Sequence, residues 1–350
     1  MKVITQLDLF SKEAHQPIAL ALGNFDGVHL GHQEIFRLVS ENAKAINGLA
    51  AVFTFTNHPQ RVLRKSDKAL LLTSFYQKLS LLSEAGIDLC FVLEFTNEFS
   101  KKLPEEFVKE VLIEQLGAKV ICMGFNARFG WNRSGDSNLM RSLSKPLGFE
   151  FFEAGAVQIG TSVVSSSAIR KSIEEGDLKQ ASCMLGRSYS FYGTVVKGSG
   201  RGTNLGFPTA NLTPHSEVLP PYGVYAVLVN LIDDHVNETK LGFEHSKRVI
   251  VRRVPAVMNY GIRPTFENES EVKPVIEVHL LSYSGNFLGK TLEVEMVKKI
   301  RDEKRFRNKE LLIQQIERDI ACAREQFFHS PEKTNRQFQS KKVSLQQSMF

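Results

Sequence analysis

GNFDGVHLGH, Gly23 to His32, is the stretch that decides how this chain is read. It follows a short apolar run, Ile18 to Leu22, bounded by Pro17 and Gly23, as in a strand buried on both faces. After it, apolar residues fall at Ile35, Leu38, Val39, Ala43 and Ile46, the spacing of one helix face. The stretch therefore spans a strand-to-helix turn. In a doubly wound sheet the first such turn is the preferred phosphate site, because it lies at the carboxyl end of a strand and aims free helix amides outward. Gly23, Gly27 and Gly31 let the backbone approach a phosphate chain closely. His29 and His32 project beside it, suited to bond phosphate oxygens and to stabilise charge on an α-phosphate and on departing pyrophosphate. An HxxH pair alone is more often a surface or capping pair. Its surroundings reverse that reading here.

Outward from the turn, strands and helices alternate. Strands are predicted at Leu49 to Phe55, Leu89 to Leu93 and Lys119 to Met123, with helical spacing through Lys78 to Ala85 and from Pro104 to Leu116. Pro104, Glu105 and Glu106 suit a helix start, where proline forfeits no bond and acids meet the positive dipole end. This alternation predicts a parallel sheet covered on both faces. Around Arg187 the texture changes to short β-like runs: Tyr189 to Val196, Val224 to Val229, Val249 to Met258, Val275 to Leu280 and Leu292 to Val297. Strands without helices between them predict a small antiparallel barrel. A last helix is expected from about Asn308 to Phe328, with Gln315 and Asp319 flanking an apolar face of Leu312, Ile316 and Ile320. The fold class is α/β plus all-β, with domains over 1–186 and 187–330 and a disordered tail over 331–350.

Composition sets bounds. A length of 350 residues, 42% of them hydrophobic, suits about two packed domains. Cys90, Cys122, Cys183 and Cys322 form no CxxC pair, so neither a disulfide framework nor a zinc site is readable, and a reduced, cytoplasmic compartment fits. There is no signal-peptide pattern and no apolar run of membrane-spanning length, so a soluble protein is expected. The net charge of +6 hints at nucleic acid. Half of it sits in the tail, where Lys333, Arg336, Lys341 and Lys342 face Glu332 alone, which weakens the hint. A nucleotide ligand accounts for a mildly basic body equally well.

GNFDGVHLGH resembles the GxFDGxHxGH signature of HxGH nucleotidyltransferases, and from about Ile18 to Phe328 the chain resembles the bifunctional riboflavin kinase/FAD synthetase family. GFNARFGWNRSGD, Gly124 to Asp136, is similar to that family's GxDFxFGxxxxGD segment, with Asn126 at its Asp or Asn position and Ala127 in place of an aromatic. SSSAIRKSIEEGD, Ser165 to Asp177, resembles SSTxIRxxLxxGD, with Ser167 for Thr. Hydroxyls at a helix start with Arg170 one turn in make a second anion clamp. The resemblance implies attack of an FMN phosphate oxygen on the α-phosphorus of ATP, with Mg²⁺ bridging phosphates. It places His29, His32 and Arg170 in catalysis, and Gly23, Phe25, Asp26, Asn126, Ser165, Ser166 and Ser167 with them around ATP. Asp26 serves either the turn geometry or the metal.

RGTNLGFPTAN, Arg201 to Asn211, follows Gly193, Gly198 and Gly200, and a Gly-rich loop alone is more often a turn. Thr209 and Asn211 alternate on one side of an extended segment and offer oxygens suited to Mg²⁺. The stretch resembles the riboflavin kinase signature GxxxGRxLGxPTAN, with Thr203 in place of Arg, which implies that Gly198, Gly206, Pro208, Thr209 and Asn211 hold ATP and Mg²⁺. VPAVMNYGIRPTF, Val254 to Phe266, is similar to PAxxNIGxRPTF. VIEVHLL, Val275 to Leu281, resembles the strand carrying the kinase's glutamate, which makes Glu277 the base for the ribityl 5′-hydroxyl of riboflavin. In KKIRDEKRF, Lys298 to Phe306, Arg301 and Phe306 are implied flavin contacts. Leu231 to Arg253 is longer than the hairpin expected in such a chain and reads as a solvent-exposed loop. A class I aminoacyl-tRNA synthetase shares HxGH, but no KMSKS-like loop is present; a simpler nucleotidyltransferase leaves PTAN without a role, and a non-catalytic flavin binder would not need His29, His32, Thr209, Asn211 and Glu277 together.

Overall fold

The computed structural model describes residues 1–11, 16–59, 62, 70–198, 200, 202, 205–216, 218–262, 274–283 and 285–328. The expected tail over 331–350 lies outside them. In chain order the first half runs β1 Lys2–Ile4, β2 Ile18–Leu22, α1 Leu30–Ala45, β3 Leu49–Phe55, α2 Phe75–Glu84, β4 Leu89–Leu93 and α3 Pro104–Glu106, which continues as a π-helix, Phe107–Gln115. Then come β5 Ala118–Gly124, α4 Ser137–Leu147, β6 Glu150–Ala154, a small ribbon of β7 Gln158–Ile159 and β8 Ser162–Val163, α5 Ser166–Glu174 and α6 Leu178–Leu185.

The strands pair in the order β1-β4-β3-β2-β5-β6, every neighbour parallel. Alternation along the strands sends Leu20, Phe53, Phe91 and Ile121 to one face, against Phe107, Val108 and Leu112. It sends Ala21, Val52, Cys90 and Cys122 to the other, against Phe36 and Val39 of α1 and Leu79 and Leu82 of α2. Cover on both faces is why these strands read as unbroken apolar runs. None of the helices among the described residues is long and apolar enough to cross a membrane.

The second half is β9 Ser190–Val196, β10 Ala210–Pro214, β11 Gly223–Thr239, β12 Gly242–Ile262, β13 Pro274–Leu280, β14 Thr291–Arg301 and α7 Lys309–Phe328. The order β11-β14-β9-β10-β13-β12 returns to β11 through a further pairing, so six antiparallel strands form a ring. Its interior is filled by residues such as Phe191, Tyr225, Met258, Val278 and Val294. Helix α7 packs outside on Val224, Ala226 and Val257, with Ala323 fully buried at the contact. Asp319, expected to flank the apolar face, is itself buried.

The segment expected to be a solvent-exposed loop, Leu231 to Arg253, is instead the outer part of a long β11–β12 hairpin. It leaves the ring and adds itself antiparallel to β1, pairing Lys2 with Glu244, Val3 with Phe243 and Ile4 with Gly242. The two sheets thereby become one of twelve strands. The approach requires glycine at 242, where a Cβ would lie 2.2 Å from Val3 O. Leu241 packs against the core on one face of the parallel sheet and Phe243 against the core on the other. Behind the tip, His245 is 1% exposed, and Lys247 lies 3.4 Å from Glu84 of α2 and 3.3 Å from Glu293 of β14. A ribbon with two part-exposed faces carries a polar sequence, so its composition imitated a loop.

Candidate active sites

Between β2 and α1 the chain turns through three residues in the left-handed region, Phe25 at φ 53°, Gly27 at 82° and Val28 at 42°. For Phe25 and Val28 that conformation costs about 1–3 kcal/mol each and persists only where the surroundings impose it. The Phe25 ring is buried over Gly23, where a Cβ would sit 2.8 Å from ring Cζ, and meets the His32 ring edge-on at 5.2 Å. The turn's carbonyls are held from outside. Asn24 O accepts from Thr54 Oγ1 at 3.1 Å and Lys78 Nζ at 3.4 Å, and Asp26 O from Ser166 Oγ at 2.9 Å. Gly27 O accepts from Arg187 Nη2 at 2.7 Å, and Val28 O from Arg187 Nη1 at 2.9 Å and Gln33 Nε2 at 3.1 Å. Of the turn's amides, that of Gly27 donates to Thr73 Oγ1 at 3.2 Å and that of Val28 to Phe25 O at 3.3 Å.

Asp26 is 3% exposed and its carboxylate accepts from Leu72 N at 3.0 Å, Thr73 N at 3.2 Å and Arg170 Nη2 at 2.6 Å. These bonds tie the turn to the segment over 70–73 and to α5. Arg170 also donates from Nε to Leu70 O at 2.6 Å. Ser165 caps α5 by accepting from Ala168 N at 3.2 Å, and Ser167 is exposed. The expected clamp of Ser166 and Arg170 thus braces Asp26 from behind.

His29 caps α1, its Nδ1 accepting from His32 N at 3.3 Å, and the two rings stack with centroids 3.6 Å apart. An acceptor Nδ1 puts the proton of a neutral ring on Nε2, which is then a donor. Burial lowers the His29 pKa to about 4, helped by the positive charge of Arg187 and of Arg170. Burial likewise holds His32 well below the usual range, aided by His29, Lys78 and Arg187. His32 Nδ1 is buried with no hydrogen-bond partner among the described residues. Both imidazoles are therefore held neutral at neutral pH, as N–H dipoles rather than cations. Asn126 stands exposed in the turn after β5, the strand paired beside β2. Ala127 is partly buried with the core, next to an ion pair of Arg128 and Asp136.

In the ring, register lines up Asn211 of β10 with Glu277 of β13, and Glu277 with Asn259 of β12. The three share one face of the sheet. His279 Nδ1 donates to Pro208 O at 2.8 Å, and its ring meets Phe207 edge-on at 5.8 Å, so β13 also holds the PTAN segment. Glycines pack against the same segment. A Cβ at Gly198 would lie 2.1 Å from Asn211 Nδ2, and one at Gly202 would lie 2.9 Å from Thr209 Oγ1. Gly206 takes φ +88°, in the turn before Pro208. Arg201, Thr203 and the RPTF piece over 263–266 lie outside the described residues. Arg301, expected beside the flavin, donates from Nε and Nη2 to Asp319 at 2.9 and 2.7 Å, with Phe306 stacked 5.8 Å from its guanidinium. Its charge is held by α7.

Lys78, Arg187, Gln33, His279 and Asn259 are the residues that motif reading missed. Asn259 and His279 lay inside quoted stretches without being singled out; Lys78, Arg187 and Gln33 meet partners brought together by folding.

A family model described as FAD synthetase matches residues 11–168, and one described as riboflavin kinase matches residues 185–327. A Haemophilus influenzae protein named bifunctional riboflavin kinase/FMN adenylyltransferase is 33% identical over 315 residues, covering 90% of this chain and 96% of that one. Proteins of the same name from Escherichia coli K12 and Bacillus subtilis are each 32% identical, over 93% and 88% of this chain and 98% and 92% of their own. A Streptococcus pneumoniae crystal structure described as a macrolide-efflux protein superposes with a TM-score of 0.76 at 26% identity, over 92% of this chain and 98% of that one. The likeness to that structure is one of fold.

Proposed function

Because the chain belongs to the bifunctional riboflavin kinase/FMN adenylyltransferase family, we infer that it phosphorylates riboflavin to FMN and then adenylylates FMN to FAD, using ATP in both steps. The observation that carries the assignment of the second step is the turn Gly23 to His32, whose carbonyls are held outward while His29 caps the helix with a donor Nε2. We assign this HxGH nucleotidyltransferase unit to 1–186 and the riboflavin-kinase-like barrel to 187–330, in a cytoplasmic protein without nucleic-acid or membrane partners.

In the first unit an FMN phosphate oxygen attacks the α-phosphorus of ATP in line and pyrophosphate departs. The opening amides of α1 and the His29 and His32 rings receive the charge that builds up on the phosphate oxygens. Neutral donors suit this because they need no proton transfer. Arg170 and Ser166 act through Asp26, and Asn126 lies across the strand ends from the turn. In the barrel Glu277 accepts the proton of the ribityl 5′-hydroxyl as its oxygen attacks the γ-phosphorus. Gly198, Gly206 and Pro208 shape the phosphate loop, and Phe306 faces the flavin while Arg301 anchors it.

Two neutral oxygens, Thr209 Oγ1 and Asn211 Oδ1, beside glycines that leave no room for a side chain, fit Mg²⁺, which keeps most of its shell from water and phosphates. When bound with ATP the ion neutralises phosphate charge.

The test is chromatographic. Purified protein with riboflavin, ATP and Mg²⁺ should yield FMN and then FAD. His29→Ala should accumulate FMN with FAD formation down about 100-fold or more. Glu277→Ala should stop riboflavin conversion and still adenylylate added FMN. No FMN and no FAD from the unmodified protein would sink the assignment, and loss of both activities in either folded variant would sink the division into two sites.

A further inference from the structure

Every carbonyl donor described above for the phosphate turn comes from the nucleotidyltransferase unit except one. Arg187 lies beyond the FAD synthetase match and within the riboflavin kinase match. Its guanidinium reaches back to Gly27 O at 2.7 Å and Val28 O at 2.9 Å, the carbonyls immediately before His29. Those bonds fall on two successive left-handed residues, one of them β-branched, where the backbone has least inclination to stay. Gln33 shares Val28 O and also donates to Leu185 O at 3.0 Å, so the turn, helix α1 and the start of the barrel meet at one point.

We propose that Arg187 is a positioning residue for FMN adenylylation: the barrel side of the chain supplies the guanidinium that fixes the direction of the amides and of the His29 ring in the other domain's phosphate turn. This rests on the reading of that turn as the adenylyltransferase site. Two donors of a planar fork on adjacent carbonyls fix a peptide's orientation in a way one amide cannot. Burial lowers the Arg187 pKa to about 10, so it keeps its charge at neutral pH. That charge is one of the causes holding His29 near 4. The residue therefore sets both the direction and the protonation of the ring. On its far side Arg187 borders a surface cavity of about 380 Å³ with Ser40, Leu81 and Glu84, so an unbranched replacement has room to settle.

The experiment uses the full chain with Arg187→Met and Arg187→Lys, assaying FMN adenylylation and riboflavin phosphorylation separately across pH. Arg187→Met should lower the adenylylation kcat about 10- to 100-fold, the scale of a mispositioned catalytic group, with riboflavin phosphorylation unchanged. Arg187→Lys, which keeps the charge and one donor, should recover part of the loss. The acid limb of the adenylylation pH profile should move to higher pH in Arg187→Met alone, because Arg170, Asp26, Lys78 and His32 around the ring are unaltered. Adenylylation equal to the unmodified protein, an equal fall of both activities, or an unmoved acid limb would overturn the proposal. If Arg187→Met does not fold, the Lys variant decides by the same ratio of activities. Failure of the underlying reading looks different: the unmodified protein would then make no FAD from FMN and ATP.

Discussion

At the scale of single residues, the titration of His29 ties the site to the stability of the fold. In the unfolded chain its ring takes up a proton near pH 6.5, and in the fold only near 4. Between those values the unfolded chain binds the proton that the fold refuses. Stability is then complete above 6.5 and declines on acidification until about pH 4, where both states are protonated. The decline attributable to this ring is about 3 kcal/mol. His29→Asn keeps an acceptor for His32 N and a good helix cap but does not titrate, so its melting temperature should fall less steeply than that of the unmodified protein between pH 6.5 and 5. Equal slopes would show that the ring is not held neutral. The histidines and glycines were readable because their spacing is local, the capped amide lying three positions after the cap. The side chains that hold the carbonyls were not, since Lys78, Ser166 and Arg187 come from 54 to 160 residues away. Nothing in a linear pattern marks them.

Among elements, α7 is fastened to the ring by Arg301 and Asp319, whose side chains are 15% and 4% exposed. Gln315 adds a donor to the same carboxylate at 2.8 Å. A buried guanidinium left without its carboxylate is costly, so Asp319→Ala should destabilise the barrel by about 3–5 kcal/mol, seen as a lower urea midpoint. Replacing both partners by apolar residues should cost much less. A double variant as unstable as the single one would contradict the ion-pair account. The motif around Arg301 did not announce its ion pair, because the partner Asp319 lies 18 residues on, on the helix that follows. Strands Ile18–Leu22, Leu49–Phe55 and Leu89–Leu93 were legible to the residue, being apolar runs covered on both faces. Strands Glu150–Ala154 and Ala210–Pro214 were not, for EFFEA and ANLTP mix polar and apolar positions and take their conformation from neighbouring strands. The same register that hid β10 is what sets Asn211 beside Glu277.

For the whole molecule, the β11–β12 hairpin joins the two halves into one sheet through backbone bonds to β1. Around it, Lys247 reaches both Glu84 and Glu293, and Gln77 of α2 donates to Ser190 O at 2.9 Å. The halves should therefore unfold together. Gly242→Val adds a side chain whose Cβ alone would lie 2.2 Å from Val3 O, and must part the strands. In a calorimeter the single heat-absorption peak of the unmodified protein should split into two, with riboflavin phosphorylation retained to the higher one. One unsplit peak at the original temperature would show that the pairing does not couple the halves. The sequence foretold two domains but not their join, because pairing at a sheet edge is written in the backbone, with side chains contributing only Leu241, Gly242 and Phe243. That join also bears on how the chain can be divided. Severed near residue 186, one fragment would bare the β1 edge and the other the rim of β12, and unpaired edges seek partners. Each half would then carry, in the spacing of its own amides and carbonyls, a docking address for the other. Co-expressed fragments should find each other by it, whereas either fragment alone should be prone to stick to copies of itself.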